Sequence, residues 1–456
     1  MNAVDRVRLT TMLDREREAF ASTHANSRAA ASEAADHLLG GVPMTWMAKW
    51  AGGFPIFLAG AQGNRVTDLD GNTYVDFALG DTGAMAGHSP PATVAAIRQR
   101  IETHGGMTAM LPTTDAAAVA AELSRRFAVP RWSFALTATD ANRWALRLAR
   151  LVTGRSLVAC FAYSYHGTVD ETFAVRASDG STVSRSGNVG PAVPPETTTR
   201  ALEWNDLDSI EAALAPRDVA VVITEPALTN IGIVLPEPGF LEGLREICDR
   251  TGTLLLIDET HTLSAGPGGC TQAWGLRPDL VTLGKSFAGG IPIGAYGLSA
   301  DVAAQLAGRV EDEGADLVDV GGVGGTLAGN ALSLAAARAT LEDVLTPEAF
   351  EHMIALATRF TAGVQATIDR HDLPWSVVQL GARAEYRFAR PAPRTGTESA
   401  EAGDEEIEEL LHLALANQGV LLTPFHNMAL MAPTTTEADV DLHTEVFAAV
   451  VAEMAG

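Results

Sequence analysis

The chain has 456 residues, 47% of them hydrophobic and 19% charged, enough apolar material for a large buried core and more than one domain, which excludes a disordered protein. A formal net charge of −24 excludes nucleic acid as a partner, because binding a phosphate backbone needs clustered Lys and Arg to displace counterions. No stretch approaches the ~18 uninterrupted apolar residues of a membrane span, so no membrane partner is expected.

In chain order, residues 1 to 38 read as an amphipathic helix packing on the body or on a second subunit. Their opening, MNAVDRVRLTTMLDREREAF, lacks the basic start and apolar run of a secretory signal, and cytoplasmic residence is the expectation. In GFPIFLAGAQGNRVTDLDGNTYVDFA two alternating runs flank Asp70-Gly71-Asn72, a hairpin signal. From Trp132 to Ala300 short apolar runs alternate with helical patterns. SFALT (133–137), SLVACF (156–161), VAVVIT (219–224), TLLLID (253–258) and LVTLG (280–284) read as buried strands. DANRWALRLARLV and FLEGLREICDRTG read as the helices between them. Strand then helix, repeated, predicts an α/β fold with a mostly parallel sheet flanked by helices. The expected domains are an N-terminal helix and hairpin segment over 1–80, a large domain over 81–345, and a C-terminal α/β segment over 346–456 that forms a small domain with the first. Within the last, PAPRTGTESAEAGDEE (391–406) is polar and acidic and reads as an exposed, mobile loop. Cys160, Cys248 and Cys270 are too few and too scattered for a disulfide framework or a zinc site, and read as small buried hydrophobes.

In a parallel sheet, ligands bind beyond the carboxyl ends of the strands, so the residues that follow each run carry the chemistry. Asp258 ends a fully apolar strand, where a buried carboxylate is costly unless a cation such as a protonated ring nitrogen meets it. Lys285 follows the next apolar run, in LVTLGKSFAGG, where poor solvation favours the neutral amine that condenses with an aldehyde. Each alone reads equally well as a strand-end residue in a salt bridge; together, one ligand explains both. Thr137-Ala138-Thr139-Asp140 sits where a strand turns into a helix, and its free N–H groups suit a phosphate, although such a segment is also an ordinary N-cap.

DLDGNTYVDF with GHSPP, TATDANRWALRLAR, SYHG, ND, TEP, PGFLEGLREICDRTGTLLLIDE, LGKSFAGGIPIGAYG and GGTLAGN run in order from about residue 40 to 345. In this ordered set the chain resembles the class III, fold-type I enzymes that use pyridoxal 5′-phosphate (PLP), with glutamate-1-semialdehyde aminomutase and β-amino-acid and ω-aminotransferases as the nearest likenesses. The 27-residue spacing of Asp258 and Lys285 matches the family's pair. The resemblance implies that Lys285 forms the Schiff base with PLP and shuttles a proton, and that Asp258 keeps the pyridine nitrogen protonated. It further implies that Tyr165 stacks on the ring, that backbone at Ala138 and Thr139 holds the phosphate, and that Thr260 lies under the ring. Glu225 and Asn230 would line the cofactor's edge. Thr326 would reach the phosphate of a neighbouring subunit, which implies a homodimer with shared active sites. Glu259 reads as structural rather than chemical.

The chain departs from the family pattern where a substrate carboxylate is gripped. The arginine that follows a Gly-Gly-Val segment in the aminomutase-like enzymes is replaced near Met47 in GGVPMTWMAKW. HTLSAGPGG stands where the family has Thr-Gly-Phe-Arg, and GVLLTPFHNMALMAPTTTEADVD lacks the mobile arginine of many ω-aminotransferases. A carboxylate in such a site needs a bidentate partner. The expectation is therefore an apolar pocket of Met44, Trp46, Met47, Phe425 and His426, suited to a bulky or aromatic amine, with Lys49 or Arg143 as candidate anchors; core packing explains the Trp and Met equally well. His261 and Asp81 are further residues that would face cofactor or substrate. The leading functional reading is an aminotransferase that moves an amino group between an amine or amino acid and a keto acid. An aminomutase of the glutamate-1-semialdehyde type, an amino-acid racemase or epimerase, and a non-catalytic PLP-fold protein are the alternatives.

Overall fold

The structure, a computed structural model, describes residues 5–313 and 315–455, so the first four residues of the expected N-terminal helix and the last of the C-terminal segment lie outside the described residues. The chain divides into a larger unit, Pro91–Phe350 with Pro393–Glu401, and a smaller one made of residues up to Pro90, Glu351–Ala392 and the chain from Ala402. The expected joints were at 80/81 and 345/346. Residues 81–90 stay with the hairpin because Gly63 and His88 exchange backbone hydrogen bonds (2.9 and 2.6 Å) and the His88 ring bonds Asp76 at 2.7 Å.

The larger unit is built on seven strands: β1 (Arg131–Ala135), β2 (Leu157–Phe161), β3 (Thr199–Leu202), β4 (Val219–Thr224), β5 (Leu254–Asp258), β6 (Leu280–Leu283) and β7 (Gly294–Leu298). Their order across the sheet is β1-β7-β6-β5-β4-β2-β3. All neighbouring pairs from β6 to β3 are parallel; β7 runs antiparallel to both β6 and β1. The five expected strands are present within two residues of their anticipated ends, and β3 and β7 are additional. Successive residues of the central strands face opposite ways, which is why these strands read as unbroken apolar runs. Val158, Cys160, Val221, Ile223 and Leu256 pack with Ala141, Ala145, Leu146 and Ala149 of helix α1 (Ala138–Thr153). Ala159, Phe161, Val222, Leu255 and Ile257 pack with Phe240, Leu244, Ile247 and Cys248 of helix α2 (Phe240–Thr251). The three cysteines are buried, and among the described residues they form no disulfide.

In the smaller unit, Leu58–Gln62, Arg65–Asp68 and Thr73–Asp76 form an antiparallel meander completed by Val420–Leu421, and the expected hairpin turn is present. The Asp68 carboxylate shapes it by accepting from the backbone of Asp70 (2.9 Å) and Asn72 (2.8 Å). The expected N-terminal helix is two helices, Arg6–Thr23 and Ala25–Ala35. The break falls at His24, whose ring bonds the Phe20 carbonyl (2.7 Å) and the Tyr74 hydroxyl (2.6 Å), while Asp70 caps the second helix through the N–H groups of Asn26 and Ser27. A second sheet pairs Ser376–Leu380 and Met428–Leu430 with Arg383–Arg387 between them.

Residues 391–406 correct an expectation: Gly396–Glu401 is helical, and residues 393–401 belong to the larger unit. The polar side chains that suggested a loop are fasteners. Arg394 pairs with Glu237 at 2.5 Å, the Thr397 hydroxyl bonds Glu203 at 2.5 Å, and Ser399 bonds the Ile231 carbonyl at 2.5 Å. Asp404 caps the helix Glu405–Asn417. Among the described residues no helix is long and apolar enough to cross a membrane.

Candidate active site

Because β2, β4, β5 and β6 are parallel, the residues that follow them gather at one edge of the sheet. Asp258, the last residue of β5, is 3% exposed. Its Oδ2 accepts from Asn142 Nδ2 (2.8 Å) and His166 Nδ1 (3.0 Å), and its Oδ1 accepts from the Thr260 N–H (3.0 Å). Burial alone would push this carboxyl up; the hydrogen bond and charge of His166, with the Thr260 and Asn142 donors, outweigh it and hold the group below the usual carboxylate range. Asn142 also donates to the His166 carbonyl (3.0 Å) and accepts from the Thr282 hydroxyl of β6 (2.6 Å), so one amide couples α1, β5, β6 and the turn after β2.

Lys285 comes three residues after Thr282, the register partner of Asp258. Its φ of 57° is left-handed, a conformation that costs an L-residue about 1–2 kcal/mol and marks a side chain held in a required direction. Its Nζ lies 2.8 Å from His261 Nε2. A Cβ on the preceding Gly284 would meet Ala138 Cβ at 2.6 Å, so the lysine turn is seated directly on the start of α1. There Asp140 N bonds the Thr137 hydroxyl (3.1 Å) and Ala141 N bonds the Thr137 carbonyl (3.1 Å). The N–H groups of Ala138 and Thr139 come before the first acceptor of the helix and remain for a ligand.

The other expected cofactor residues surround this centre. Tyr165 is half-buried, edge-on to Phe173 at 6.2 Å, and Thr139 accepts from Thr168 N (3.1 Å) in the same segment. Glu225 is buried and takes the Thr229 hydroxyl; burial, with the charge of Asp258, raises its carboxyl above the ordinary range. Asn230 donates to the Tyr163 carbonyl at 3.2 Å. Glu259 is a structural tie, accepting from the Thr262 hydroxyl (2.5 Å) and the backbone of Cys270 (3.1 Å) and Thr271 (2.5 Å). Arg143 points outward with its guanidinium on the Thr168 carbonyl (2.7 Å). Thr326 is exposed in the turn 326–329 and shows no bond to this cluster. Asn142 and His166 were not singled out from the sequence. Asn142 was detectable as the polar interruption in the buried stripe Ala141, Ala145, Leu146, Ala149 of α1.

The expected substrate residues lie in the smaller unit. Trp46 meets Phe425 edge-on at 5.8 Å, and the Lys49 ammonium sits over the Phe425 ring at 5.2 Å. Met44 and Met47 are each 43% exposed, which removes the core-packing explanation for them. His426 is buried, with Nδ1 on Glu385 at 3.2 Å. Asp81 occupies a tight turn, its N–H on the Ala78 carbonyl (2.9 Å) and its φ at 50°.

The sequence matches the family profile of class-III aminotransferases over residues 46–451. The chain belongs to that family. It is 34% identical over 407 residues to a glutamate-1-semialdehyde 2,1-aminomutase of Chloroflexus aggregans, an alignment that covers 86% of this chain and 90% of the relative. A crystal structure described as a glutamate-1-semialdehyde aminomutase of Pseudomonas aeruginosa PAO1 in complex with PMP superposes with a TM-score of 0.95 at 48% identity, over 99% of both chains. A β-phenylalanine aminotransferase of Variovorax paradoxus superposes with a TM-score of 0.83 at 26% identity, over 97% of both.

The cofactor of this class-III enzyme is PLP, and the residues fit it. Besides the two N–H groups at the head of α1, the hydroxyls of Thr260 and Ser286 are buried without a partner among the described residues, as expected where a polar group completes the site. Ala138 and Thr139 would hold the phosphate, Asp258 would face the ring nitrogen and Lys285 the aldehyde. When bound, PLP supplies a carbonyl that condenses with amines and a ring that draws off electrons released at the neighbouring carbon. Asp258 is suited to its part because hydrogen bonds from Asn142, His166 and the Thr260 N–H hold its carboxylate in place.

Proposed function

We propose that this class-III enzyme is an aminomutase, shifting an amino group between adjacent carbons of one small amino-acid-derived substrate. The observation that carries the reading is the 48% identity, over 99% of both chains, to the Pseudomonas protein described as a glutamate-1-semialdehyde aminomutase, supported by the Chloroflexus relative. This places the aminomutase alternative ahead of transfer between two molecules, the reading the sequence alone favours. The roles of the residues are common to both. Lys285 Nζ takes and returns the proton at the substrate carbon bonded to nitrogen, Asp258 holds negative charge at the far end of the site, and Ala138 and Thr139 anchor the phosphate.

One observation supports transfer from a bulky amine as a second reading: the Trp46, Phe425 and Lys49 cluster with its exposed methionines, on a chain that also resembles a β-phenylalanine aminotransferase. The test is to supply glutamate 1-semialdehyde to the purified holoenzyme without any second amine. The expected result is the isomer with nitrogen on the former aldehyde carbon. No isomer, together with conversion of bound PLP to PMP and ketone release from an aromatic amine, would favour transfer instead.

The enzyme is further proposed to act as a homodimer in which Thr326 completes the phosphate site of the second copy. Supporting this, Thr326 stands beside Leu327 (49% exposed) and follows a loop whose Val318 and Val320 are 98% and 78% exposed. Light scattering is expected to give twice the chain mass; a mass near 47.8 kDa would count against it.

A further inference from the structure

Lys285 arrives from the turn after β6 and His261 from the turn after β5, yet their nitrogens meet at 2.8 Å. A hydrogen bond between two nitrogens requires a hydrogen on one and a lone pair on the other. The contact therefore describes either an ammonium donating to a neutral ring or an imidazole N–H donating to a neutral amine. With both groups protonated there would be no acceptor, and two like charges would stand at hydrogen-bond distance. One hydrogen therefore lies between the two nitrogens, bonded to one and accepted by the other.

We propose that His261 is the proton partner of Lys285. Its Nε2 takes a proton from the Lys285 ammonium, which leaves a protonated imidazole and the neutral amine able to attack an aldehyde carbon, and returns that proton when the amine is set free again. His261 thus touches the reacting nitrogen itself. The proposal rests on Lys285 being the reacting lysine and adds how it is made reactive.

Several titratable groups on the neighbouring elements have partners of their own. Asp258 and His166 bond each other, and Glu259 takes Thr262 and the 270–271 backbone. Glu225 takes Thr229, Asp140 takes the Thr137 hydroxyl, and Tyr165 lies edge-on to Phe173.

The composition offers a direct readout. Of 32 Lys and Arg residues just two are lysines, Lys49 and Lys285, so acylation of the full chain with acetic anhydride, read by peptide mass spectrometry, reports Lys285 against the exposed Lys49 as internal reference. In the PLP-free wild type, the ratio of Lys285 to Lys49 labelling is followed from pH 5 to 9. In His261→Ala and His261→Gln the ratio at pH 7 is expected to fall at least about tenfold, with a changed pH profile and slower uptake of added PLP. Profiles unchanged in both variants would overturn the proposal. So would restoration by His261→Gln, whose amide keeps a hydrogen bond but cannot accept the proton. Circular dichroism and denaturant unfolding report whether each variant remains folded. Protection of Lys285 by PLP in the wild type tests the underlying assignment separately: without protection that assignment falls and this proposal with it, whereas protection with unchanged profiles overturns this proposal alone.

Discussion

Lys285→Ala is expected to lower turnover by about 10³- to 10⁴-fold, the upper range for removing a positioned acid–base group. The neighbours explain why the loss is large but not complete. Alanine removes the amine that takes the proton but leaves His261 Nε2, 2.8 Å from where the amine stood, as a base beside the site. Phosphate and ring contacts at Ala138, Thr139 and Asp258 do not depend on the lysine, so PLP should still enter the variant, but without a covalent attachment. Visible absorbance before and after dialysis separates the two forms: the wild-type chromophore stays and the variant's washes out. A small added amine should restore part of the activity. A spectrally unchanged, dialysis-resistant chromophore in Lys285→Ala would show that attachment lies elsewhere.

The legible parts of this protein are those where burial and chemistry conflict openly. A carboxylate at the end of LLLID and a lysine after LVTLG stand out because apolar runs do not otherwise end in paired charges, and the structure places them at the same edge of the sheet. β7 was not legible. GAYGL looks like a loop because two of its positions have no room for a side chain: a Cβ on Gly294 would lie 2.2 Å from the Thr137 carbonyl oxygen and one on Gly297 would lie 2.8 Å from the Trp132 ring. β3 hides for another reason. It is the edge strand, and Arg200 within it reaches the Ala213 carbonyl and Asp218, each at 2.5 Å. His261 was visible as a neighbour of Asp258 in sequence, but its bond to Lys285 depends on the register of β5 against β6, which no local pattern encodes. Asn142 and His166 escaped because a residue that only supports a carboxylate has no chemical signature of its own.

Asp258→Asn is expected to reduce kcat/KM by about 10²- to 10³-fold, corresponding to the ~3–4 kcal/mol lost when one preorganised electrostatic contact is removed. The substitution preserves shape, which makes its effect specific. The amide oxygen can still accept from Thr260 N, but an NH₂ in the place of Oδ2 faces Asn142 Nδ2, itself a donor, and His166 Nδ1. His166 can answer by changing tautomer. Asn142 cannot rotate without giving up the Thr282 hydroxyl, so a donor is left facing a donor. Asn142→Ala, which removes one of three donors and leaves the charge, should therefore cost much less, within about tenfold, and the two variants together should fall short of additivity. The charge also has a signature in the PLP-free protein. Because the folded-state pKa of Asp258 lies below its unfolded value, its contribution to stability is full above about pH 4 and is lost as pH falls through the folded value. Denaturant unfolding should accordingly show Asp258→Asn less stable than wild type at pH 7, with the difference narrowing below about pH 4. A difference independent of pH would mean that the carboxylate is held by shape alone, and that the charge offered to the cofactor is not built into the fold.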